Sequence, residues 1–141
     1  MEEKLLYSDT TYKIIGCAMK VHKTFGNGFL EKVYENSLMV LLKREGIKAK
    51  QQVPVKVWFG NEIVGDYIAD ILVEDKLILE LKVAEKINEI HKAQTLNYLK
   101  ATNLDVALIL NFGSRSLENF RLTNKFRNSI SNGLDTNRLN S

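Results

Sequence analysis

The chain has 141 residues, 45% of them hydrophobic and 26% charged, with a net charge of +3. That is the size and composition of one folded domain with a real core, and no apolar run approaches the ~20 residues a membrane span needs. Arg115, Arg121, Lys125, Arg127 and Arg138 stand against Glu118 and Asp135 near the C-terminus, so the positive excess lies there. A nucleic-acid partner is allowed by this charge but not signalled by it.

The opening "MEEKLLYSDT" is acidic and lacks a secretory hydrophobic region. A first helix is predicted over 10–25, where Tyr12, Ile15, Met19 and His22 recur at helical spacing. Cys17, the single cysteine, excludes an intramolecular disulfide and fits a reducing cytoplasm. With two histidines beside it, a structural zinc site is disfavoured. "GNG" at 26–28 breaks this helix. A second helix is expected over 29–45, with Leu30, Val33, Tyr34, Leu38, Leu41 and Leu42 as its apolar stripe and Gly46 as its stop. Strands follow over 48–59, 63–73 and 77–84, with "GN" at 60–61 and "EDK" at 74–76 as hairpin turns. A third helix is expected over 86–102, then a buried strand over 104–112. "LENFRLTN" is left open between a short edge strand and a helix, and 129–141 is read as a polar, frayed tail behind a single domain over 1–128. The order ααβββαβ implies an α/β fold, a mixed sheet flanked by helices.

"ADILVEDKLILELK", 69–82, is unusual because Asp70, Glu80 and Lys82 interrupt two otherwise apolar strands. Glu80 and Lys82 share one strand face. Whether Asp70 joins them depends on the turn. A two- or four-residue loop pairs 70 with 79 and sends Glu80 to the other face, whereas a three-residue loop sets Asp70 opposite Glu80. Opposed carboxylates repel unless a hard divalent cation lies between them, and Mg²⁺ is held by one or two carboxylates plus waters and phosphate oxygens. The alternative is an ion pair of Glu80 with Lys82 at a solvated strand end.

Asp70 followed by Glu80-Leu81-Lys82 resembles the active-site signature of the PD-(D/E)XK nuclease superfamily. "HKTFGNGFLEKVYENSL", 22–38, carries Gly28, Glu31 and Tyr34 at the spacing of the GxxExxY family within it, and the likeness runs over roughly 10–115. Gln94 and Tyr98, four apart on the third helix, resemble the QxxxY element of RecB-like exonucleases. The resemblance implies a restriction-endonuclease-like fold and a Mg²⁺- or Mn²⁺-dependent nuclease acting on nucleic acid, DNA before RNA. It implies that Asp70, Glu80, the Leu81 carbonyl and Glu31 (directly or through water) hold the metal, that Lys82 positions the nucleophilic water, and that Gln94 and Tyr98 support substrate.

Several of these residues also have plain structural readings. Glu31 would sit at the third helical position behind Gly28 as N-cap, favourable to the helix dipole without any chemistry. Tyr34 and His22 read as packing residues, and Asp66 shares the Asp70 face by strand counting but lies further out. A non-catalytic nucleic-acid-binding or assembly protein keeping the same fold is the competing functional reading. So small a chain has little surface to clamp a duplex, which makes a homodimer or partner protein an expectation as well.

Overall fold

The computed structural model describes residues 6–124, so the tail expected over 129–141 lies outside the described residues. The elements are α1 (Ser8–Phe25), α2 (Glu31–Arg44), β1 (Ala49–Phe59), β2 (Glu62–Val73), β3 (Leu77–Lys82), α3 (Glu89–Thr102), β4 (Val106–Asn111) and β5 (Glu118–Thr123). They follow the expected order, and the segment left open between helix and strand is β5. The strands form one mixed sheet in the order β1-β2-β3-β4-β5. Its pairs are antiparallel except β3–β4. A parallel pair needs a crossover, and α3 supplies it.

Helices cover both faces. Ile14, Ala18 and Val21 of α1 and Tyr34, Leu38 and Leu42 of α2 pack on Ile71, Val73, Leu77, Leu79, Leu81 and alternate residues of β4. Leu99 of α3 packs with Leu72, Ile78, Ala107, Val53, Val55 and Ala69 on the other face. β4 is buried along its whole length, as its continuous apolar run requires.

Helix phase and starts differ from expectation in three places. In α1 the buried stripe is Thr11, Ile14, Cys17, Ala18 and Val21, while Tyr12 and Met19 are exposed. Two interleaved stripes share the helical period, and the one with smaller side chains is the buried one. α2 begins at Glu31 with Leu30 as N-cap, without a side-chain capping bond. Glu31 is thus the first helical residue and not the third, and Leu30 is exposed.

The reason for this late start is Tyr34. Its hydroxyl donates to the Gly26 carbonyl at 2.6 Å and accepts the Phe29 N–H at 3.1 Å, which holds 26–30 as a turn. The ring stacks on Phe112 at 4.7 Å. Tyr34→Phe should therefore cost roughly 1–3 kcal/mol, the penalty for stranding buried polar groups, with the urea midpoint as the measurement. An unchanged midpoint would mean the phenol does not hold this turn. α3 begins three residues later than expected, because Asn88 caps it in a reciprocal box with His91.

Candidate active site

The site is built where two strands part. β2 and β3 pair through Val73↔Leu77, Leu72↔Ile78 and Ile71↔Leu79. The turn is therefore the three residues Glu74, Asp75 and Lys76. Glu74 and Asp75 take left-handed φ values of 53° and 56°, and the Lys76 N–H closes the turn on the Val73 carbonyl at 2.9 Å. One step beyond the last pair, Asp70 stands opposite Glu80.

There the carboxylates replace the ladder. The Leu81 N–H donates to Asp70 Oδ2 at 2.7 Å, and the Asp70 N–H reaches Glu80 Oε1 at 3.4 Å. Beyond this point β2 runs on with β1 alone, to Phe59↔Glu62. The result is a fork, with the β1–β2 hairpin as an arm leaving the sheet.

Asp70 also marks a break in strand alternation. Ala69 and Leu72, three apart, pack in the cluster under α3, while Ile71 packs on the opposite face. The flanking pairs Gln51↔Ile71 and Val53↔Ala69 leave Gln52 and Asp70 out of the β1–β2 ladder, and Gln52 has φ 53°. This is bulge-like irregularity of the kind that re-aims a side chain. Period-two counting from Asp70 to Asp66 does not hold across it. Asp66 is exposed on the arm, opposite Lys56.

The electrostatics follow from burial. Glu80 is only 4% exposed. Desolvation, reinforced by the Asp70 charge, pushes its carboxyl up to about 8, against the opposing pull of the Asp70 N–H and of Lys82. Asp70 is raised by burial and by Glu35, with the Leu81 hydrogen bond, Lys82 and Lys32 working the other way. Glu31, at the start of α2, is raised by desolvation and then by Asp70, and lowered by Lys82. The four side chains expected from the sequence thus share one electrostatic neighbourhood. Lys82 is half-buried and forms none of the ion pairs among the described residues. Its strand is fixed by parallel pairing with Asn111 and by the Phe112 N–H on its carbonyl. Asn111 in turn bonds both the N–H and carbonyl of Ala84. Gly113 is required beside this latch, since a side chain there would meet the Ala84 backbone nitrogen at 2.3 Å.

Tyr98 sits close enough for Glu80 and Asp70 to raise its phenol, after the larger effect of burial. Its ring meets Tyr67 of the arm edge-on at 5.0 Å. Gln94, one turn earlier, is exposed. His22 bonds the Ser114 carbonyl at 3.0 Å and lies beside Phe112, in keeping with a packing role.

Sequence reasoning did not single out Glu35. It is 1% exposed and accepts from Gln51 at 2.6 Å, Gln52 at 2.9 Å and Lys32 at 3.0 Å. A signal was available: Glu35 lies between Tyr34 and Leu38 on the inward face of α2, and "QQ" precedes the apolar part of β1.

One buried and one half-buried acid with raised proton affinity and one lysine form a place where a cation relieves repulsion. Among the described residues no group of three or more His, Cys, Asp or Glu is arranged to hold a metal ion. A closed cage of the zinc type therefore does not fit, whereas a hard ion that takes one or two carboxylates and completes its shell with water and phosphate oxygens does.

No curated protein matches the chain. The crystal structure of SSO0001 is similar, with a TM-score of 0.54 at 14% identity over 94% of this chain. The alignment spans 63% of that protein, and a likeness this distant speaks for the fold alone. The family comparison reaches further, because the model of the PD-(D/E)XK nuclease superfamily matches residues 8–122. That span takes in both arms of the fork and every residue gathered around it, and the chain belongs to the PD-(D/E)XK nuclease superfamily.

Proposed function

We propose that this protein is a nuclease of the GxxExxY type that hydrolyses phosphodiester bonds in DNA with the help of Mg²⁺ or Mn²⁺. The observation that carries the reading is the Asp70–Glu80 pair at the fork, with Lys82 following on the same strand. Two carboxylates buried side by side are unfavourable as structure and useful as a cation seat.

In this reading Asp70, Glu80 and the Leu81 carbonyl hold the ion, and Glu31 completes the shell through water. The ion, when bound, supplies Lewis-acid polarisation of the phosphoryl oxygen. The chain's own residues do the rest. Lys82 orients the attacking water and stabilises negative charge that grows on the phosphoryl oxygens. Water adds to phosphorus and gives up a proton to solvent, the bond to the leaving oxygen breaks, and that oxygen takes up a proton. Tyr98, and Gln94 as the partner residue of a QxxxY-type element, support the substrate strand. Asn111 and Phe112 keep the Lys82 backbone in place. The lone buried Cys17 suits work in a reducing cytoplasm, and a second copy or a partner protein would extend the small contact surface.

The test has two arms. Linear, circular, branched and single-stranded substrates are screened for cleavage with Mg²⁺ or Mn²⁺, and Mn²⁺ binding is measured by calorimetry on wild type, Asp70→Asn and Glu80→Gln. Binding near or below millimolar metal in wild type, lost in both variants, together with cleavage of at least one substrate, is the expected result. No binding at millimolar metal would remove the nuclease reading and favour a non-catalytic binding or assembly protein of the same fold.

A further inference from the structure

The β1–β2 arm springs from the site, yet nothing in the proposed chemistry uses it. Its composition is informative. From Val53 to Ala69 the charged side chains are Lys56, Glu62 and Asp66, and Lys56 stands opposite Asp66 in the ladder. The arm therefore offers no surplus positive charge. A duplex is gripped mainly through phosphates, by several lysines and arginines, and this arm cannot do that. It presents rings and aliphatic groups instead. Phe59 is 79% exposed, Ile68 56% and Tyr67 43%.

Tyr67 is the ring among them that packs on a helix residue within reach of the acid charges. It is the cross-strand partner of Val55 and lies three positions before Asp70. Its ring packs against Tyr98 with centroids 5.0 Å apart and an interplanar angle of 63°. Tyr98 itself feels the Glu80 and Asp70 charges. The edge-on contact fixes the orientation of the Tyr67 ring, and 43% of the residue is left open to solvent. An oriented, part-exposed ring close to a pair of acids is the arrangement on which a nucleobase stacks. Bases within an intact duplex are already stacked on both faces and are not available to it.

We infer that Tyr67, oriented by Tyr98, is a stacking subsite for an unpaired nucleobase next to the scissile phosphate, so that the substrate is single-stranded or locally unpaired where it enters the site. This rests on the nuclease reading, and it adds a specificity residue that the acid-and-lysine signature does not contain. Recognition by stacking tolerates any base, so sequence preference at this position should be weak.

The experiment separates binding from cleavage. A short oligonucleotide carrying a fluorescent adenine analogue is titrated with protein in Ca²⁺, as single strand and as duplex, and the same substrates are assayed for cleavage in Mg²⁺ and Mn²⁺. Wild type should quench the analogue in the single strand and bind it more tightly than the duplex. Tyr67→Ala should weaken that binding by at least about five-fold, the low end for loss of one base–aromatic stack, and abolish the quench. Tyr67→Phe should preserve both. Tyr67→Leu keeps apolar bulk against Tyr98 and lacks the aromatic face, so it should behave like Tyr67→Ala with an unchanged melting temperature, which guards against a folding defect. Equal binding of duplex and single strand, or unchanged affinity and quench in Tyr67→Leu, would overturn the inference. Tight, quenched single-strand binding by a wild type that cleaves nothing would leave the subsite standing and remove the nuclease reading.

Discussion

Lys82→Ala should lower the cleavage rate by about two to three orders of magnitude, the usual loss when one preorganised group that stabilises transition-state charge is removed. The fold and the affinity for Mn²⁺ should survive. Lys82 cannot ligate a cation while protonated, because an ammonium has no lone pair to give. Nor does it hold the structure together through ion pairs among the described residues, and its strand is fixed through backbone pairing with Asn111 and Phe112. Its charge does oppose the burial that raises Glu80. Removing it should therefore raise the Glu80 pKa further and move metal binding to slightly higher pH. The decisive measurements are single-turnover cleavage, Mn²⁺ titration and thermal unfolding on the same preparations. Cleavage undiminished in Lys82→Ala would end its assignment as the water-orienting group. A large loss of stability in Lys82→Ala, with no cleavage by any variant or by wild type, would return the cluster to a structural role.

Much of this site was legible in the sequence because strand pairing is discrete. Three turn residues put Asp70 opposite Glu80, and two or four would not. The motif at Glu80 and Lys82 needed only the alternation of a strand. What was not legible depended on departures from regularity. Alternation fails at Asp70 because Gln52 takes a left-handed conformation across from it, and no local propensity announces that in a glutamine. Glu31 was expected two positions further into its helix, since the turn before α2 is held by a hydrogen bond from Tyr34, eight residues beyond the Gly26 carbonyl it reaches. Glu35 escaped notice because its partners, Gln51 and Gln52, lie on a different element. The stripe of α1 was misread for a different reason: Tyr12 and Met19 outweigh Ala18 and Cys17 in apolar bulk, yet the stripe of smaller residues is the one that packs inward.

Metal-free protein should become more stable on Glu80→Gln at pH 8, and the gain should fade toward pH 5. The sign follows from linkage. Glu80 titrates near 8 in the folded chain, against an ordinary value of 4.5. Between those values the folded state holds a proton that the unfolded state has released, so stability falls as pH rises through this window. The full effect is of order 2–4 kcal/mol at its upper end, after allowance for coupling to Asp70. Glutamine has the same shape, can still accept the Asp70 N–H, and carries no charge to desolvate. Asp70 and Glu31 are raised in the same direction, so they tilt the wild-type curve too. The difference between wild type and Glu80→Gln, measured by urea unfolding in chelator across this pH range, isolates Glu80. Adding Mn²⁺ should reverse the ranking at pH 8. The cation binds the ionised carboxylate, so wild-type affinity should climb as pH approaches 8 and its melting temperature should rise, while Glu80→Gln stays where it was. Wild-type and variant curves that coincide from pH 5 to 8 in chelator would mean that Glu80 is not a strained carboxylate. Equal Mn²⁺ stabilisation of both proteins would mean that it is not the cation's seat.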